Sequence, residues 1–175
     1  IQKLHPDTKE LIVVGTTKDP TGLRNYDHFR RIEPSFQELS FRYFNDLIME
    51  DLLVRLGDLK PGQVVFTSPT IKDKEGHFYN FAAATRLLRN ACSVPIYGGW
   101  DFFLGHGIVG GKLVSGTAQG TEVARMALDV LNGTDPAMVP VVSDVGSQYM
   151  FDYDELQKHQ IPLDRLPQFR TIINQ

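Results

Sequence analysis

Short apolar runs at residues 11–15, 39–44, 64–67 and 94–97 alternate with segments that carry helical spacing. Leu11-Ile-Val-Val-Gly15 is apolar throughout and β-branched, which suits a strand buried on both faces. Leu39, Phe41 and Tyr43 alternate against Ser40, Arg42 and Phe44, a less regular strand pattern. Between these runs, helices are expected from about Gly22 to Ile32, along the stripe Ile48, Leu52 and Leu56, and from Phe81 to Ala91. Asn45 or Asp46 is the expected cap of the second helix and Asn80 of the third. A fifth strand is expected at 112–115, then a helix from about Gly120 to Leu131 that stops at Asn132-Gly133. In the tail, Asp152 with Glu155 reads as a capping box before a short helix, and residues 171–173 as a closing strand.

Alternation of this kind predicts an α/β fold of three layers, α/β/α, with a mostly parallel sheet covered by helices on both faces. The length of 175 residues suits one domain. Ligands in such sheets bind where the strands end at their carboxyl side, which singles out loops 16–22, 45–46, 68–77 and 98–107.

The glycines of "YGGWDFFLGHGIVGG" raise a specific alternative, because Gly105 to Gly110 spell the dinucleotide pattern G-x-G-x-x-G. That pattern works when a strand precedes it and a helix N-terminus follows to receive pyrophosphate. Here Lys112-Leu-Val-Ser follows, a strand-like run, and the pattern lies past mid-chain. The glycines are therefore expected to serve tight turns and close backbone approach. Phe102 and Phe103 are expected to pack in the core, while Trp100 can offer a flat apolar face with Asp101 as its polar partner.

No catalytic team assembles. His5, His28, His77, His106 and His159 are scattered without zinc-ligand spacing, and neither G-x-S-x-G nor a P-loop occurs. The lone Cys92 excludes an internal disulfide and reads as a small buried hydrophobe. A net charge of −3 argues against nucleic acid as a partner, and no apolar run is long enough to insert in a membrane.

The run "VPIYGGWDFFLGHGIVGGKLVSGTAQGTEVARMALDVLNGTDPAMVPVV" resembles the carboxyl-terminal part of ABC-transporter-type substrate-binding proteins with the type I periplasmic-binding fold. "YMFDYDELQKHQIPLDRLP" is similar to the version used as an extracytoplasmic sensor domain in bacterial histidine kinases and diguanylate cyclases, and "HPDTKELIVVG" to the phrase with which members enter their second lobe. The resemblance runs from about His5 to Leu166. It implies a flavodoxin-like lobe, mainly the second of a clamshell, whose first lobe of roughly a hundred or more residues is missing from this chain. On that basis the chain divides into a lobe core at 1–115, a helix segment at 116–138 and a tail at 139–175.

The implied function is non-catalytic binding of a small molecule between lobes, coupled to transport or to signalling across a membrane, in an extracytoplasmic parent. No cofactor or metal is implied. Site residues carried over are Thr16 and Thr17 as hydroxyl donors, Ser68 and Thr70 after the third strand, and Trp100 with Asp101 after the fourth. The apolar stripe Val123, Ala127 and Leu131 would be covered by the first lobe, by the chain's own sheet or by a second copy in a homodimer. Two other readings stay open: a small flavodoxin-like or nucleotide-binding enzyme, and a structural interaction module.

Overall fold

The computed structural model describes residues 1–68, 73–77, 79–142 and 146–175. Its centre is a parallel sheet of β1 (Glu10–Gly15), β2 (Ser40–Asn45), β3 (Gln63–Thr67) and β4 (Ile96–Gly98), in the order β2-β1-β3-β4. Leu11 to Val14 are buried without a break, as a strand flanked on both sides and both faces must be. Ile12 and Val14 face a cluster with Phe44, Val65, Ile96 and the helices α2 (Met49–Gly57) and α3 (Phe81–Ala91), through Leu52, Leu56 and Leu88. Leu11 and Val13 face the other way, toward Val64, Tyr97, Phe29 of α1 (Pro20–Ile32) and the tail residues Leu156, Ile161 and Leu166. The period of two in β1 thus divides the core into two layers.

Local chemistry explains most helix ends. Asp19 caps α1 by accepting from the Gly22 N–H at 2.8 Å, with Pro20 preset in the first turn. Asn80 accepts from the Ala83 N–H at 2.8 Å and starts α3. The expected cap of α2 is corrected: the cap position falls to Ile48, which makes no side-chain bond, because Asp46 is turned back over the end of β1.

The chain past β4 departs further from expectation. β5 (Gly110–Val114) does not continue the parallel ladder but pairs antiparallel with β6 (Ser147–Asp152), which pairs parallel with β7 (Thr171–Ile173). Beside β4, β5 is tied by isolated bonds, Val109 N–H just before β5 to Ile96 O at 2.7 Å and Val114 N–H to Gly99 O just after β4 at 2.9 Å. β6 is an element that the sequence pattern of 139–151 does not announce. The glycines set this geometry. Gly110 has φ of 129°, and a Cβ there would lie 2.1 Å from the Met150 carbonyl oxygen. They allow backbone to lie on backbone, and no helix follows them to receive a phosphate.

The capping box is half formed. Asp152 accepts from the Asp154 N–H at 3.1 Å at the start of α5 (Tyr153–Lys158), but its own N–H goes to Val109 O. Glu155 turns instead to Arg89 of α3, at 2.7 Å. α4 (Gly116–Leu131) begins a turn earlier than expected, capped by Ser115, and no residue of it is buried.

Candidate functional site

Four parallel strands end on one rim, and the loops that leave them are built from different parts of the chain. Thr16 and Thr17 follow β1, Asn45 and Asp46 close β2, Ser68 follows β3, and Gly98 leads β4 into Trp100 and Asp101. Thr70 lies outside the described residues.

Asp46 organises one end of this rim. Its φ of 56° is in the left-handed region that Asp tolerates better than most residues, and it carries the carboxylate back over β1. Oδ1 accepts from the Thr16 hydroxyl at 2.9 Å and from the Thr17 N–H at 2.9 Å; Oδ2 accepts from the Thr17 hydroxyl at 2.5 Å. Desolvation pushes its pKa up, but the bonds from Thr17 and Thr16, with the charge of Lys18, outweigh this and hold it below the usual range. Thr16 also accepts from the Lys18 N–H at 3.1 Å and is buried. The expected role of these threonines as donors is thereby corrected: both hydroxyl protons are already given to Asp46. The sequence alone points to Asp46 as a rim-loop residue and a helix cap rather than as a site residue. Its spacing is the available signal, since Leu47 and Ile48 separate it from the helix it was expected to cap.

Ser68 is buried behind Gly15. Its N–H donates to Val14 O at 2.9 Å, and a Cβ at Gly15 would sit 2.8 Å from its hydroxyl. The β1 loop is fixed from a second side by Gly22, where a Cβ would approach Thr16 O to 2.3 Å.

At the other end of the rim, Trp100 and Asp101 are half-buried and open a short 3-10 turn over Asp101–Phe103. Phe103 joins the core as expected. Phe102 does so less: it lies 4.3 Å from Phe81 and 6.3 Å from Trp100 between ring centroids, in an aromatic shelf that reaches the surface. The depression among Gly15, Thr16, Asp46 and Tyr79 has a volume of about 20 Å³, enough for about one water. That depression, among the described residues, is too small for a ligand. Among the described residues no group of three or more His, Cys, Asp or Glu gathers as a metal site would require.

No protein-family model matches the chain, and no curated protein matches it by sequence. Solved structures do. The ligand-free, open structure of CD0873, a substrate-binding protein with adhesive properties from Clostridium difficile, superposes with a TM-score of 0.73 at 13% identity. The fold is shared with part of that substrate-binding protein. The match takes in 97% of this chain and 56% of that one. The ABC domain from Streptococcus pneumonia in complex with L-Trp gives a TM-score of 0.71 at 16% identity, over 99% of this chain and 58% of that one. A conserved domain protein from Vibrio cholerae gives 0.62 at 15% identity, over 95% and 54% respectively. The chain thus spans little more than half the length of the structures it resembles. Among the described residues, no helix is long and apolar enough to cross a membrane.

Proposed function

We propose that the chain supplies one recognition face of a two-lobed, non-catalytic small-molecule-binding protein. The observation that carries this is the gathering of polar and aromatic groups along one rim: Thr17 and Asp46 at one end, where the depression beside Asp46 holds only about 20 Å³, Ser68 behind them, Trp100 and Asp101 at the other. Such a rim becomes a site when a second face closes over it, and a ligand that contacts both faces favours the closed form by its differential affinity. Thr16 supports the loop, and Thr70 belongs to the same proposed set.

α4 agrees with this reading. Its stripe at Val123 and Leu131 is exposed to 64% and 81%, and Met138 and Val141 extend the apolar surface beyond it. The structures that share the fold are longer by two-fifths or more of their length. We assign this stripe to contact with the first lobe that such proteins carry. The parent protein would work outside the cytoplasm, delivering solute to a transporter or, as the tail resemblance suggests, signalling ligand closure across a membrane.

The test is calorimetry on the chain alone and on the chain joined to its first lobe. Weak binding by the lone chain and at least hundredfold tighter binding by the two-lobed form is the expected result. Tight binding by the lone chain would contradict the half-site. Light scattering separates the fates of α4: a mass that rises with concentration means that a second copy covers the stripe when the first lobe is absent.

A further inference from the structure

We infer that the ligand group received at the end of β1, between Thr17 and Asp46, is a protonated amine. The inference rests on the reading of this rim as a ligand site. It follows from where the protons are. A threonine hydroxyl has one proton and two lone pairs, and an ionised carboxylate has only acceptors. Every bond between Asp46 and the threonines therefore runs toward Asp46. Thr16 is buried, with its proton on Asp46 and one lone pair taken by the Lys18 N–H. Thr17 gives both its N–H and its O–H to Asp46, so its half-buried hydroxyl oxygen has only lone pairs left to offer.

Asp46 has about four acceptor positions. Two on Oδ1 and one on Oδ2 are filled, which leaves one on Oδ2 beside the Thr17 oxygen. Two adjacent acceptors and a negative charge suit a group with several N–H donors and a positive charge. A carboxylate or phosphate would set lone pairs against lone pairs and like charge against like charge. Lys18 supplies the positive charge that acts on Asp46, from an exposed side chain that solvent screens and a ligand can displace.

The isotopically labelled chain is titrated with tryptamine, N-acetyltryptamine and indole-3-propionate, which share a ring and differ in the charge of the side group, and amide NMR shifts are followed. Tryptamine is expected to move the amides of Thr17, Lys18 and Asp46 at a concentration about tenfold lower than N-acetyltryptamine does, the loss of one charged hydrogen bond. Thr17→Ser keeps that preference, Thr17→Val weakens it and Asp46→Asn abolishes it, with amides away from the rim unmoved in all three. If the neutral or anionic probe shifts these amides at an equal or lower concentration, the amine is wrong while the rim remains a ligand site. If no probe moves them, the rim reading itself falls and the amine with it.

Discussion

At Gly110 a missing side chain lets the backbone of β5 lie directly on β6. A Cβ would stand 2.1 Å from Met150 O and 2.7 Å from Phe151 Cα, both backbone atoms that cannot swing aside, at a φ of 129° that L residues avoid. Gly110→Ala is expected to destabilise the lobe by about 2–4 kcal/mol. Gly120 in α4 has open space around it, so Gly120→Ala should be neutral or stabilising by up to about 1 kcal/mol. Urea midpoints compare the two, and a Gly110→Ala protein as stable as the parent would remove close approach as the reason for this glycine. That reason was visible in the sequence, since a strand-like run after the glycines argues against phosphate binding. The direction of the threonine bonds was not. It depends on Asp46, which comes from another strand and has an equally ordinary explanation as a helix cap.

Elements are held together away from the rim by a second set of polar contacts. His5, on the turn before β1, bonds through Nε2 to the Tyr97 hydroxyl of β4 at 2.7 Å, with the two rings edge to face. Burial, then neighbouring positive charge with His159 foremost, lowers the His5 pKa to about 4. In the unfolded chain the same imidazole titrates near 6.5. The unfolded state therefore binds more protons between these values, and the stability that His5 contributes is complete above about 6.5 and lost as pH falls toward 4.

Glu155 of α5 behaves differently. Desolvation raises its pKa, but the nearby His159 imidazole, the bond from Arg89 and the charge of Lys158 bring it down to about 2, so its contribution is lost only from about 4.5 downward. His5→Gln keeps a partner for Tyr97 without the titration. Its Tm is expected to stay level between pH 6.5 and 4.5, where the parent's declines, and both should fall below that. A parallel decline in the two proteins would remove His5 as the cause. At this scale β1, β3 and α3 were legible because burial pattern, cap and stop agree. β6 was not, because Ser147 to Asp152 is buried only at Phe151 and Asp152, and the alternation is short. Its pairing with β5 depends on Gly110, far away in sequence.

Across the whole molecule the uneven element is α4. Helices α2 and α3 each place residues such as Leu56 and Leu88 in the core, whereas α4 buries none. It is joined to the lobe near its start, by the Ser115 cap and by the Ser115 N–H to Gly146 O at 2.7 Å. Along its length it is supported by its own ion pairs, Arg125 with Glu122 and Asp129, at 2.5 and 2.9 Å. Exposed pairs of this spacing are worth about 0.3–0.5 kcal/mol each, too little to hold sixteen residues helical without tertiary contact. Amides in the second half of α4 are therefore expected to exchange with solvent orders of magnitude faster than those of α3, whose opening requires loss of core packing. Joining the first lobe should slow them toward the α3 rates, because a covered stripe converts local fraying into global unfolding. Leu131→Glu should leave the stability of the lone lobe within about 0.5 kcal/mol and yet cancel that protection. Slow exchange throughout α4 in the lone, monomeric chain would mean that the helix needs no partner, and the stripe would then lose its proposed role as a contact for a first lobe.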